Sequence, residues 1–161
     1  MKIKNISQKG FGLIEILLVV GVGMATFLGI EQYLNLSWRA ARQDSHQTEA
    51  LYWVKANLEQ ARAVRDEDWA LISSLVLGNQ YNFIANGATP EKWTVQTGAR
   101  SEGRYTVWFT TSQVQRDINS DIVITGGTVD PNTFKINSNV SWDESGAAKQ
   151  ISISEYLVNF K

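Results

Sequence analysis

Glu15 is the residue of this chain whose chemistry most needs an explanation, because it stands near the start of an apolar run that extends from Phe11 to Ile30. From Ile16 to Ile30 no other charge follows. A charged side chain at the centre of a membrane-inserted helix costs about 2.5–3.5 kcal/mol on insertion scales. A carboxylate kept in such a segment either stays wet near the interface or is buried against a cation that offsets its desolvation. Lys2, Lys4 and Lys9 precede the run, and a Gly10-Phe11 junction opens it. Counted from Phe11 as the first residue, Glu15 is the fifth.

The element that must carry Glu15 is a long helix, and three readings compete for its first part. A secretory signal peptide fits the basic leader, but Glu15 interrupts the early apolar run, no clear A-x-A-like site follows, and the run exceeds the roughly 7–15 residues of an h-region. A plain signal anchor fits the length, since Phe11 to Ile30 is about the 20 residues that a transmembrane helix needs. Its lysines would stay cytoplasmic by the positive-inside rule. The third reading keeps the anchor and adds cleavage after Gly10.

Beyond Ile30 the pattern stays helical, with no proline before Pro90 and no glycine between Ile30 and Gly78. The stretch from Arg39 to Glu49 is strongly polar. Leu51, Val54, Leu58, Ala61 and Val64 then recur at spacings of three and four, one apolar face of an amphipathic helix. A single helix from about Gly12 to Arg65 would span roughly 80 Å at 1.5 Å per residue. Its first half is expected in a membrane or a fibre, and its second half on a domain. Asp66 or Asp68 can cap a short second helix with Trp69, Ile72, Leu75 and Val76 facing inward, ended by Gly78. Residues 79–91 read as an irregular connection with turns at Asn86-Gly87 and Pro90.

The remainder reads as strands: Trp93 to Thr97, Arg104 to Val114, Ile122 to Ile124, Thr133 to Trp142, and a last one marked by Ile151, Ile153 and Tyr156-Leu157. Phe134, Ile136, Val140 and Trp142 share one face, with Ser138 the polar exception on it. Asp143-Glu144-Ser145-Gly146 closes the final hairpin. Helix first and antiparallel sheet after is an α+β order, with the Leu51–Val64 face laid on the sheet. The 161 residues allow one modest domain beyond the helix, and with no cysteine there is neither a disulfide nor a cysteine metal site. Packing must hold the domain, and six tryptophans supply large rings for it.

The basic leader, the Gly10-Phe11 junction, Glu15 and the apolar run together resemble the processing site of type IV prepilins and type II secretion pseudopilins. The resemblance implies cleavage between Gly10 and Phe11 by a membrane aspartic prepilin peptidase and N-methylation of Phe11 by the same enzyme. It also implies that Glu15 pairs with the free N-terminal amine of a neighbouring subunit during assembly. Gln32 departs from the family, which often has a proline near that position, so local melting would have to start from Gly21, Gly23 or Gly29. The stretch from Ala50 to Trp69, the segment from Gly126 to Thr133 with Asn139-Val140-Ser141-Trp142, and the ending Ser154 to Phe160 look like minor pilins of the PilV or pseudopilin I/J kind. The order of elements is that of the pilin fold.

By that resemblance the chain divides into a prepilin leader (1–10), a transmembrane or fibre-core segment (11–30), an amphipathic half-helix (31–66) and a β-rich soluble domain (67–161). The expected product is a bacterial minor pilin or pseudopilin, a low-abundance or initiating subunit of a type IV pilus or type II secretion pseudopilus. Its expected partners are other pilins or pseudopilins, the prepilin peptidase, an inner-membrane assembly platform and the membrane itself. It would be a single-pass membrane protein with its domain outside the cytoplasm, and then part of a periplasmic or extracellular fibre. The competing readings are an uncleaved membrane-anchored binding module and a DNA-uptake pilus subunit.

Other chemistry has little to build on. His46 is the single histidine, with no cysteine to join it in a metal or catalytic set, and is expected to be solvated or fibre-facing. No acid–base or nucleophile constellation for an enzyme is present, and no Gly-rich phosphate loop leads from a strand into a helix. Asp117, Asp121 and Asp130 surround the Asn119-Ser120 and Gly126-Gly127 loops. Oxygen ligands on glycine-containing loops suit calcium, and major pseudopilins often hold calcium in a comparable region. Without an EF-hand pattern these residues read first as turn formers and second as calcium candidates. The net charge of −1 gives no broad footprint for nucleic acid. Arg100, Arg104 and Trp108 are the basic and aromatic residues nearest to one, with Trp108 expected in the core.

Overall fold

The computed structural model describes residues 12–89 and 92–160. The basic leader, Gly10, Phe11 and Pro90 lie outside the described residues. A helix α1 runs from Leu13–Glu67, unbroken through Gly21, Gly23, Gly29 and Gln32. The chain forms two compact units, Met1–Asp44 and Ser45–Lys161. In the first, α1 holds an 18-residue window of mean hydropathy 2.4, none of it buried, long and apolar enough to cross a membrane. The polar side chains along this part satisfy themselves locally: Thr26 Oγ1 donates to the Val22 carbonyl at 2.8 Å, and Asn35 Nδ2 to the Glu31 carbonyl at 3.0 Å.

In the second unit the remainder of α1 packs on an antiparallel sheet, giving the α+β architecture expected from the order of elements. Among the described residues the strands are β1 (Tyr81–Ala85), β2 (Trp93–Thr97), β3 (Arg100–Glu102), β4 (Tyr105–Arg116), β5 (Ile122–Val123), β6 (Thr128–Glu144) and β7 (Ala147–Val158). Their order is β2-β1-β4-β6-β7, with β3 and β5 pairing to β4. The buried stripe of α1 is Ala50, Val54, Asn57, Leu58, Ala61 and Val64. Leu51, expected on this face, is only half-buried, and Ala50 takes its place. Leu58, Ala61 and Val64 meet Phe83, Phe109, Phe134, Ile136 and Leu157, while Ala50 and Val54 meet Tyr105, Val107, Val140 and Trp142. Burying each such large side chain stabilises by about 1.5–3 kcal/mol.

The polar exception on β6 finds a polar exception on the helix. Asn57 Nδ2 donates to Ser138 Oγ at 3.1 Å, and Ser138 Oγ donates to the Val54 carbonyl at 3.1 Å, both in the core. At the edge of the interface Arg62 grips Glu155 on β7 through two N–H···O bonds of 2.7 Å. The β6–β7 hairpin closes as expected. Ser145 and Gly146 have φ of 56° and 83°, the signature of a two-residue turn with both central residues left-handed, and the Asp143 carboxylate accepts the Gly146 N–H at 3.0 Å.

Two strands escape the sequence reading. β1 lies within the stretch expected to be irregular, and β3 is a three-residue strand between turns. Asn82 in mid-β1 resembles a turn residue, but it is buried and its Nδ2 donates to the Gly98 carbonyl at 2.9 Å. The second helix, α2, is also shorter than expected, Ala70–Ser73. Asp68 Oδ1 accepts the Ala70 N–H at 3.0 Å and Ile72 is buried, as the pattern requires. Val76 is not inward: its side chain is exposed, and its N–H donates to the Tyr81 hydroxyl at 3.0 Å.

Ser138→Ala strands the Asn57 amide in the core and should lower the unfolding free energy by about 1–3 kcal/mol, read from the urea midpoint of the detergent-solubilised chain. Adding Asn57→Leu removes the orphaned donor and should recover part of that loss. A double variant less stable than Ser138→Ala alone would show that the bridge is not what holds these positions.

Candidate functional site

Glu15 occupies the third helical position of α1, counting from Leu13, with Gly12 as the residue before the helix. The Gly12 N–H donates to Glu15 Oε2 at 3.1 Å, and the Glu15 N–H donates to the Gly12 carbonyl at 2.9 Å. This is the acidic half of a capping box, in which a carboxylate in the third helical position reaches back to the first free N–H. The negative charge also complements the positive end of the helix dipole. By hydropathy Glu15 is an anomaly in an apolar run; the signal of this local role is its spacing of three from Gly12. The cleavage and methylation expected at Gly10 and Phe11 fall outside the described residues.

His46 is not the solvated side chain expected of it. Its ring is half-buried beside Arg104, whose Nη1 lies 2.7 Å from Nε2, and its Nδ1 lies 3.4 Å from Glu144 Oε1. Next to it the Tyr105 hydroxyl donates to Glu49 Oε2 at 2.9 Å, with the His46 carbonyl at 3.2 Å. Burial, reinforced by the Glu49 carboxylate, pushes the Tyr105 hydroxyl up to about 12. The cluster ties α1 to the start of β4 and the end of β6. Most of its polar groups are spent on one another, which is the chemistry of a clasp.

Asp117 and Asp121 lie in the loop before β5, and Asp130 lies near the start of β6. Asp117 Oδ1 accepts the backbone N–H groups of Asn119 and Asp121, each at 2.9 Å, closing a turn in which Ser120 takes φ of 69°. Asp130 faces Arg116, whose Nε donates to Oδ2 at 2.7 Å, while the Thr133 hydroxyl donates to the same oxygen at 2.6 Å. The Arg116 guanidinium first, then the Thr133 hydroxyl and the Asn132 N–H, hold the Asp130 carboxyl down at about 2. A register shift in β6 makes this possible. Gln113 pairs with Phe134 and Val114 with Asp130, so Pro131, Asn132 and Thr133 have no partner on β4 and the proline needs no ladder bond there, while the buried Thr133 pairs with Val158 on β7. An open pocket of about 620 Å³ lies here, lined by Arg116, Asp117, Ile118 and residues 126–130. Gly127 admits no side chain, since a Cβ would stand 2.6 Å from the Arg116 carbonyl oxygen. Among the described residues no three His, Cys, Asp or Glu side chains are placed to share a metal ion.

The basic and aromatic residues named for nucleic acid do not converge. Arg100 Nη1 donates to the Phe83 carbonyl at 2.7 Å and its Nε faces Glu102, whereas Arg104 is held at His46. Trp108 is not a core residue: it alternates with buried Val107 and Phe109 on β4, so its half-buried ring lies on the sheet face opposite α1. No family model matches the chain, and no curated protein or solved structure matches it either.

Asp130 makes a testable contribution to acid stability. Because folding lowers its pKa from an ordinary value of 3.8 to about 2, its stabilisation is complete above 3.8 and disappears as the pH falls through about 2. Asp130→Asn should be less stable than the parent at pH 7, and the gap should close between pH 4 and pH 2 in acid-unfolding curves. A gap independent of pH would mean that the Arg116–Asp130 pair does not carry the effect.

Proposed function

We propose that the chain is a minor pilin or pseudopilin, a structural subunit rather than an enzyme. In this reading it is cut between Gly10 and Phe11 and assembled into a type IV pilus or type II secretion pseudopilus. The observation that carries the proposal is the first part of α1, an apolar helical surface with none of its 18-residue window buried and a single carboxylate, Glu15, at its start. Such a surface needs a bilayer before assembly and other apolar helices after it. The α+β order, with a helix leading into an antiparallel sheet, supports the same reading, as does the leader of Lys2, Lys4 and Lys9 before a Gly-Phe junction. Exposed Tyr33 and Trp38 follow the apolar run, where aromatic rings sit at a headgroup boundary.

Within an isolated chain Glu15 caps its own helix. In a fibre core the same carboxylate would meet the Phe11 amine of a neighbouring subunit, and charge neutralisation would fix the register between helices. A chain with Glu15 can occupy an interior position in such a fibre as well as its tip. Nothing in this reading requires a cofactor.

The first test is the N-terminal mass of the protein extracted from its native membrane. A chain beginning at Phe11, with or without a methyl group, is expected; one beginning at Met1 would instead support an uncleaved membrane-anchored binding module. The second test separates the cap from the charge. Glu15→Ala and Glu15→Gln should both be processed, and both should be depleted from sheared fibres roughly tenfold or more, although glutamine keeps the capping hydrogen bond. Normal incorporation of Glu15→Gln would refute pairing through the charge.

A further inference from the structure

The sheet face opposite α1 differs in chemistry from the face that α1 covers. On β4, Thr106, Trp108, Thr110 and Ser112 alternate with the buried Tyr105, Val107, Phe109 and Thr111. The register places Trp108 beside Asn139 and Thr110 beside Asn137, and on the next strand Asn137 beside Ser154 and Lys135 beside Tyr156. These side chains are held in place by one another. Ser154 Oγ donates to Asn137 Oδ1 at 2.7 Å, Gln150 Nε2 to Asn139 Oδ1 at 3.2 Å, and Asn139 Nδ2 to the Asn137 carbonyl at 2.9 Å. At opposite corners of this field stand the rings of Trp108 and Tyr156, the latter 45% exposed. They lie two strands and four residues apart, which strand spacing and rise convert to about 17 Å.

Charge selects among possible occupants. On the outward positions of β4, β6 and β7 between the two rings, Lys135 is the one charged side chain among the described residues. A phosphate backbone or an anionic lipid surface needs several cations on the contact face. An apolar helix needs an apolar groove. Neutral amides and hydroxyls both donate and accept hydrogen bonds, as sugar hydroxyls do, and flat aromatic rings take the apolar C–H face of a pyranose. Their fixed orientation on a rigid sheet lowers the entropy cost of binding. We propose that this face is a binding surface for a neutral oligosaccharide, with Trp108 and Tyr156 as stacking platforms and the side chains of Asn137, Gln150, Ser152 and Ser154, set in place by the buried Asn139, as the hydrogen-bonding field between them. The inference stands on the second unit alone and does not depend on processing after Gly10.

The test uses the full chain in a zwitterionic detergent without a sugar headgroup. Cellohexaose, maltohexaose, chitohexaose and a single-stranded oligothymidylate are titrated by calorimetry. At least one hexasaccharide should bind saturably, with Trp108→Ala and Tyr156→Ser each weakening it about tenfold. Because Tyr156 is already solvent-facing, Tyr156→Ser should keep the parent melting temperature, so its loss of affinity reads the surface and not the fold. Asn137→Ala should weaken binding with the ring variants' sugar preference retained. Absence of binding by all three hexasaccharides, binding indifferent to Tyr156→Ser and Asn137→Ala, or binding of the oligothymidylate alone would each overturn the proposal.

Discussion

The side-chain packing of α1 on the sheet along Ala50, Val54, Asn57, Leu58, Ala61 and Val64 is the contact on which the second unit depends. The sheet offers this helix an apolar face, so the strands and α1 share their main core. Alanines at positions 50 and 61, both fully buried, belong to the same packed face. A buried polar group there cannot be hydrated, and the Asn57 amide N–H is therefore matched to Ser138 Oγ, whose hydroxyl donates onward to the Val54 carbonyl. An apolar stripe alone would leave the helix free to slide by a turn. A buried donor with one acceptor specifies a single register, because every other register strands it. The Arg62–Glu155 pair and the Tyr105–Glu49 bond reinforce the same setting at the two ends of the interface.

The opening part of α1 obeys a different rule. In a bilayer every carbonyl and N–H there would have to be satisfied within the helix, and side chains such as Thr26 and Asn35 turn back to their own backbone. Glu15 fits that economy by closing the first turn on Gly12. A residue that looks out of place by hydropathy thus has a local use in the free helix and, in the proposed fibre, a second use between subunits. The cap uses Oε2 alone, so the second carboxylate oxygen stays free to accept an amine from outside.

Much of the fold was legible because its signals are periodic. The spacing of Val54, Leu58, Ala61 and Val64 gave the helix face, and the alternation of Phe134, Ile136, Val140 and Trp142 gave the β6 face. Local turn chemistry identified the hairpin at Ser145-Gly146. β1 was illegible since Asn82, Asn86 and Gly87 carry turn signals, and the bond that makes Asn82 a strand residue goes to Gly98, which is distant in sequence. Trp108 looks like a core residue by size, but its parity with the buried Val107 and Phe109 puts it on the other face of β4. His46 was read from its polar neighbours along α1, whereas its partners Arg104 and Glu144 arrive from β4 and β6. The chemistry around Glu15 was half legible: its charge stood out, its capping geometry did not.

The order of elements along the chain sets a timetable for synthesis. The stripe on α1 leaves the ribosome long before the strands that cover it, and Arg62 waits 93 residues for Glu155. At translation rates of 5–20 residues per second that interval is roughly 5–20 s. Throughout it, α1 presents an apolar face with no partner of its own, while the β6–β7 hairpin, once made, closes within microseconds. Completion of the core is therefore gated by the last strand to emerge, and a nascent chain stalled before β7 would expose the helix to every other apolar surface in reach.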